Sequence, residues 1–275
     1  MIVVTGATGN VGRPLVRALV AAGEQVTAVS RSVSAADVPA GVRHLRADVA
    51  DPEQLKPALD GADTLFLLTS GDFVLAGGDV HGVLDAAKTG GVRRVVLLSS
   101  QGVGSLRHPP AYEEAVKRSG LEWTVLRPGG FGSNAYLWAD AVRASRTVAA
   151  PFGDVALPVI DPDDIAAVAA RTLREAGHGG ATYVLTGPAP VSPRQQAAAI
   201  GDAIGEPVRF VEQTEEEART QLLTFMPERV VEATLAILGS PSPDEQRVSP
   251  DAERVIGRPP RTFAEWAARN ADAFK

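Results

Sequence analysis

The sequence of 275 residues contains no cysteine. That excludes disulfides, thiolate-bound zinc, iron–sulfur clusters and a thiol nucleophile, and it accords with a reducing cytoplasm, the location expected here. Histidine is scarce: His44, His81, His108 and His178 show no metal-ligand spacing, so no metal centre is expected. Lysine is confined to Lys56, Lys88, Lys117 and Lys275, and arginine carries almost all the positive charge. No apolar run approaches the ~20 residues that span a bilayer. Met1–Thr5 lacks the basic flank of a secretory signal, so no such signal is expected, and no membrane partner is expected either. With a net charge of −6 and a pI near 5.3, the chain also lacks the basic footprint of a nucleic-acid binder. There are no solenoid repeats or low-complexity tracts. What is present, 45% apolar and 22% charged residues, is an ordinary globular composition near the upper size limit of one core.

Short β-branched runs alternate with amphipathic stretches over the first 130 residues. Ile2–Thr5, Gln25–Ser30, Val42–Arg46, Thr64–Leu68, Val95–Leu98 and Leu121–Leu126 read as strands, mostly apolar on both faces. Val11–Ala22, Pro52–Leu59, Val80–Thr89 and Tyr112–Arg118 read as helices between them. Alternation of this kind predicts an α/β fold of Rossmann type, a doubly wound parallel sheet. Beyond Pro128 the pattern predicts helices over Asp161–Leu173, Ser192–Ile204, Glu215–Leu238 (broken at Pro227) and Thr262–Phe274. Strands are predicted at Tyr183–Leu185 and Val208–Glu212. The expected organisation is a nucleotide-binding domain over 1–130 and a smaller, mostly helical substrate lobe over 131–275, interleaved with the last strands of the sheet.

The strongest motif opens the chain. Strand Ile2–Val4 runs into Gly6-Ala7-Thr8-Gly9-Asn10-Val11-Gly12 and then a helix. Glycines at this spacing give a tight turn, close approach of backbone to a pyrophosphate, and close packing of helix on strand. Thr8, Asn10 and Val11 join the three glycines as candidate cofactor contacts. The second strand ends in Ser30-Arg31-Ser32, with no acid to grip a ribose 2′-hydroxyl; Arg31 suits a 2′-phosphate. NADPH is therefore expected over NADH. Asp48 and Val49, after the third strand, are candidates for the adenine side, and Asp48 reads equally well as a turn-capping acid.

The start MIVVTGATGNVGRPLV, with SGLEWTVLRPGGFGSN (119–134), PVIDPDDIAAVAARTL (158–173), YVLTGPAPVS (183–192) and RTFAEWAARNADAFK (261–275), resembles the NmrA-like family of atypical short-chain dehydrogenases/reductases. That family includes type 2 NAD(P)H:quinone oxidoreductases, triphenylmethane-dye reductases, redox-sensing regulators and tailoring enzymes of aromatic polyketides. The resemblance implies that Leu68-Thr69-Ser70 and Ser99-Ser100-Gln101 line the nicotinamide side. It also implies that Pro128–Asn134 forms one wall of a substrate pocket.

Orthodox short-chain reductases pair a serine with Tyr-x-x-x-Lys, whose lysine tunes the tyrosine as proton donor. Here Tyr112 is followed at the fourth position by Val116, and the lysine is Lys117. Five helical residues turn through about 500°, which sets Lys117 about 140° around from Tyr112. The slot for the lysine of the quinone-reductase branch holds Glu114. Tyr112, Ser99 and Ser100 are the candidate catalytic residues. The alternatives are direct hydride transfer to a quinone-like acceptor without a lysine, and a dinucleotide-binding protein without catalysis.

The candidate pocket is apolar with a few polar points: Phe73, Leu75, Gln101, His108, Phe131, Asn134, Tyr136 and Trp138. No arginine or lysine cluster offers to clamp a carboxylate or phosphate, so a small, planar, uncharged aromatic substrate is expected. The expected function is an NAD(P)H-dependent oxidoreductase acting on a quinone or similar acceptor, as a monomer or homodimer. The rivals are a tailoring enzyme on an aromatic polyketide and a redox sensor.

Overall fold

The computed structural model describes residues 1–69, 73 and 77–275. Ser70 and Leu75 lie outside the described residues. Strands are numbered in chain order. The main sheet contains β1 (Ile2–Thr5), β2 (Val26–Ser30), β3 (Arg43–Arg46), β4 (Thr64–Leu68), β5 (Arg94–Leu98), β6 (Glu122–Pro128) and β8 (Ala181–Leu185). Their order is β3-β2-β1-β4-β5-β6-β8, and every pair is parallel. The doubly wound sheet expected from the alternation is therefore present. β1 and β4 are buried almost throughout, as strands covered on both faces must be. β3, an edge strand, reads Arg43-His44-Leu45-Arg46 and is largely exposed; its charges discourage pairing with another chain.

The chain divides into two compact units. The first comprises Met1–Pro128, Pro162–Leu185 and Asp251–Arg258. Its core runs through Leu55, Leu59, Leu65, Leu67, Val83, Val95, Leu97 and Val125. Arg94 fastens the helix Pro162–Arg174 to the N-terminal end of the sheet. Its Nη1 donates to the carbonyls of Leu173 (3.1 Å) and Glu175 (2.9 Å), and its Nη2 to Glu122 (3.0 Å). A cation at a helix C-terminus satisfies carbonyls that the helix itself cannot. The Asp251 carboxylate accepts the Val184 N–H at 2.9 Å, tying the helix Asp251–Ile256 to β8.

The second unit comprises Gly129–Asp161, Thr186–Pro250 and Pro259–Lys275. Its core gathers Val142, Val148, Ile200, Phe263, Trp266 and Phe274. β7 (Thr147–Ala150) and β9 (Arg209–Glu212) pair in parallel here as a sheet of two strands. The expected helix Ser192–Ile204 runs from Pro193, with Ser192 and Gln195 closing a reciprocal cap. The expected terminal helix is shorter than its periodicity suggests: it spans Phe263–Arg269 and gives way to a tight turn at Ala271–Ala273. Asn270 interrupts it, its Nδ2 donating back to the Trp266 carbonyl at 2.8 Å.

Candidate dinucleotide site

The strand order reverses between β1 and β4, the place where open α/β sheets bind ligands. Thr5, the last residue of β1, spans this point. Its hydroxyl donates to the Phe66 carbonyl (3.0 Å) and accepts the Leu68 N–H (2.8 Å), holding the two strands together where the glycine turn starts. Gly6 has φ +63°, and a Cβ there would lie 2.2 Å from the Leu68 side chain. A Cβ on Gly12 would lie 2.1 Å from the Gly6 carbonyl oxygen. Gly9 is different: it is exposed, and the nearest atom to a Cβ is that same carbonyl oxygen, at 3.3 Å. Two glycines thus let the turn close on itself, and the third keeps its outer surface low. The helix Gly12–Ala21 that follows starts at Val11 with no side-chain cap; the Arg13 N–H donates to the Gly9 carbonyl at 3.0 Å and Pro14 has no N–H, so an anion would meet the turn at the Val11 and Gly12 N–H groups.

Thr8 binds this turn to the end of β2 through its hydroxyl, 2.8 Å from that of Ser30. Arg31 follows on the exposed surface. Arg13, in the first helical turn, donates to the Thr8 carbonyl at 3.3 Å. Hydrogen bonds from the Ser34 hydroxyl and backbone lower the Asp37 carboxyl below its ordinary range, with Arg13 and Arg46 adding to the effect. Positive charge at the end of β2 therefore comes from Arg13 and Arg46 as well as Arg31. Arg13 directly follows Gly12, a position from which sequence reasoning could have named it. Asp48 is exposed, and one of its oxygens accepts the Ala50 N–H at 2.9 Å, as a turn-capping acid does. Val49 beside it is half-buried, as are Leu68 and Thr69 at the end of β4.

The end of β5 carries a cluster that the sequence did not reveal. Glu113, on the helix Ala111–Arg118, is buried, with its side chain 2% exposed. It accepts the Ser99 hydroxyl (2.7 Å), Arg127 Nε (2.8 Å), Arg127 Nη2 (2.7 Å) and Lys117 Nζ (3.0 Å). Burial pushes its carboxyl up, but the bonds from Arg127, Ser99 and Lys117 outweigh this and hold it at about 2. Lys117 also lies over the Trp123 ring, 5.6 Å from its centroid. Glu114, the occupant of the missing-lysine slot, is exposed and pairs with Arg118 at 3.4 Å. Tyr112 is half-buried, its ring edge-on to Phe73 at 5.4 Å.

Ser100 caps the short helix Gln101–Gly104, its oxygen accepting the Gly102 N–H at 3.1 Å. His108 folds back on the same helix: its N–H donates to the Gly102 carbonyl (2.9 Å), and its ring lies where a Gly102 Cβ would stand. Gln101 is half-buried in the first turn. Phe73 is 2% exposed and belongs to the core, so its ring serves packing rather than an open pocket wall. In the second unit, Phe131 is half-buried and bridges to Ile160, and Asn134 is exposed. Trp138 packs on that unit's core, while the Tyr136 hydroxyl donates to Asn270 at 2.5 Å. The glycine turn, Leu68, Thr69, Ser99 and Ser100 thus meet at the C-terminal ends of the adjacent strands β1, β4 and β5.

Residues 6–176 match the model of a protein family described as NAD(P)H-binding. The chain belongs to that family. It is 36% identical to the (4-alkanoyl-5-oxo-2,5-dihydrofuran-3-yl)methyl phosphate reductase of Streptomyces griseus subsp. griseus, covering 100% of this chain and 99% of the relative. It is 35% identical to the NAD(P)H azoreductase of Xenophilus azovorans, with the same coverage. Among solved structures, the NADPH-dependent quinone oxidoreductase of Escherichia coli in complex with NADPH aligns with a TM-score of 0.81. The identity is 26%, over 98% of this chain and 99% of that one. This member of the NAD(P)H-binding family is an NAD(P)H-dependent oxidoreductase. Its own residues fit the cofactor: Gly6 and Gly12 let the turn close tightly on itself, and exposed Gly9 leaves its outer surface without a side chain. No helix among the described residues is long and apolar enough to cross a membrane.

Proposed function

We propose that the chain transfers hydride from NADPH to a small planar acceptor of quinone or azo type. The observation that carries the cofactor preference is the end of β2, where Ser30 leads into exposed Arg31 with Arg13 nearby. The first acid beyond, Asp37, is occupied by Ser34. An anionic 2′-phosphate is favoured there over a bare hydroxyl. Gly6, Thr8, Gly9, Asn10, Val11 and Gly12 hold the pyrophosphate, Arg31 the 2′-phosphate, and Asp48 with Val49 the adenine side. Leu68, Thr69 and Ser99 face the nicotinamide. Tyr112, Ser99 and Ser100 are the candidate catalytic groups, Ser99 on the nicotinamide side and the other two toward the acceptor, with Gln101, His108, Phe131, Asn134 and Trp138 as candidate substrate contacts.

The bound dinucleotide supplies a hydride, two electrons and one proton. A quinone then needs one further proton, drawn from solvent, to become the hydroquinone. The protein's part is to orient acceptor and donor, exclude water and stabilise charge on the acceptor oxygen. The acceptor class is supported by the names of the relatives, an azoreductase and a quinone oxidoreductase. A cytoplasmic location accords with the absence of cysteine. Purified protein titrated with NADPH by nicotinamide fluorescence, then given naphthoquinones and azo dyes, tests the reading. Rapid NADPH loss with one of these acceptors is expected. Tight binding with no loss across the series would refute the acceptor assignment.

A further inference from the structure

The two serines that end β5 make hydrogen bonds of opposite sense. Ionised Glu113 can only accept, and it holds four donor contacts, one of them from Ser99. The other three come from the cations Arg127 and Lys117, which keep the carboxylate charged. The only proton of Ser99 is therefore committed to Glu113, and the hydroxyl has nothing left but lone pairs. Ser100 is the reverse. Its oxygen already accepts the Gly102 N–H, and its hydroxyl donates to no acceptor among the described residues. Accepting an N–H also polarises the O–H and strengthens it as a donor.

We propose that Glu113 is a positioning residue that makes Ser99 a hydrogen-bond acceptor and leaves Ser100 as the hydroxyl that donates to the reacting acceptor. This rests on the oxidoreductase reading above. Negative charge grows on a quinone oxygen as hydride arrives, and a donor aimed at that oxygen stabilises the transition state. Lone pairs aimed at it would repel it, so Ser99 is fitted to hold an N–H donor such as the amide of the nicotinamide carboxamide. The missing lysine of the orthodox site is thus not replaced by Lys117, whose ammonium is spent on Glu113. It is replaced in part by the fixed polarity of adjacent hydroxyls.

The experiment compares Ser99→Ala, Ser100→Ala, Ser100→Thr and Glu113→Gln, with NADPH and 1,4-naphthoquinone as probes. Ser100→Ala is expected to lower kcat about 10- to 100-fold, the scale of one hydrogen bond to a charged group. KM for the quinone should move less than threefold, and Ser100→Thr should restore most of the rate. Ser99→Ala should instead act mainly on NADPH affinity, severalfold, with the smaller loss of kcat. A rate lost more through Ser99→Ala than through Ser100→Ala would overturn the assignment.

A thermal-unfolding cycle of Ser99→Ala and Glu113→Gln on the cofactor-free chain reads the pairing without turnover. The double variant should lose clearly less than the sum of the two single losses, because a glutamine amide oxygen is a weaker acceptor for the Ser99 hydroxyl than the carboxylate, whereas additive losses would refute the pairing. If Glu113→Gln does not fold, the two serine variants still decide. If the parent chain consumes no NADPH with naphthoquinones or azo dyes, the acceptor reading has failed. The polarity reading then stands or falls on that cycle and on whether Ser99→Ala weakens NADPH binding more than Ser100→Ala.

Discussion

Replacing Glu113 by glutamine keeps the shape of a buried side chain and removes its charge, stranding Arg127 and Lys117 beside Ser99. Two routes give the cost. A carboxyl held at about 2 rather than its ordinary 4.5 stabilises the folded state by on the order of 3 kcal/mol at neutral pH. Removing one partner from a buried ion pair costs roughly 3–5 kcal/mol. The sign fixes the pH dependence. The folded carboxyl is depressed, so its contribution is fully present above the unfolded value near 4.5 and is lost as pH falls toward 2. Urea unfolding followed by tryptophan fluorescence suits the measurement, because Trp123 lies under Lys117. Parent and Glu113→Gln should differ by about 3–5 kcal/mol from pH 8 to 5, and the gap should narrow as pH drops further. A gap below about 1 kcal/mol at pH 7, or one already closing above pH 5.5, would refute the reasoning.

Four other perturbations follow from the surroundings described above. Gly12→Ala should unfold the turn, losing roughly 2 kcal/mol or more in a denaturation curve, since its Cβ would lie 2.1 Å from the Gly6 oxygen. Gly9→Ala should cost clearly less in that curve, its Cβ lying 3.3 Å from the same oxygen, yet weaken NADPH binding in a fluorescence titration; equal effects of the two on stability would be inconsistent with their different surroundings. Arg31→Ala should cut the NADPH-over-NADH affinity ratio about 10- to 100-fold, and an unchanged ratio would remove Arg31 from the phosphate site. Arg94→Met should cost about 2–4 kcal/mol by uncapping the Leu173 and Glu175 carbonyls, with NADPH affinity of the folded fraction retained.

Much of the first unit was legible because its signals are local. Ile2–Thr5 and Thr64–Leu68 are apolar on both faces, and only strands within a covered sheet satisfy such runs. The glycine turn was legible because a positive φ and close backbone contacts leave glycine as the residue that fits. Glu113 was not, and the reason is instructive. It stands on the inward face of an amphipathic helix beside Ala115 and Val116, where a carboxylate looks like an error of pattern. Its partner Arg127 sits at the end of the next strand, so the pair exists only once helix and strand have packed. One charged residue facing inward, followed by a strand ending in arginine, was the available clue. β7 escaped for a related reason: Thr147–Ala150 has little strand character of its own and takes its register from Arg209–Glu212, far along the chain.

The first unit is assembled from three separate stretches of chain, with β8 joining β6 only at residues 181–185 and the helix Asp251–Ile256 arriving later still. During synthesis, the Pro128 end of β6 leaves the ribosome long before the strand that covers its outer edge. A nascent chain stopped anywhere before residue 181 would present that bare edge to other chains, an invitation to aggregate. Truncation at residue 185, which keeps every strand of the main sheet, would still lack Asp251, the carboxylate that accepts the Val184 N–H. The fragment that looks from its motifs like a portable nucleotide-binding module is therefore not one. Transplanting the first unit means carrying 1–128, 162–185 and 251–258 together.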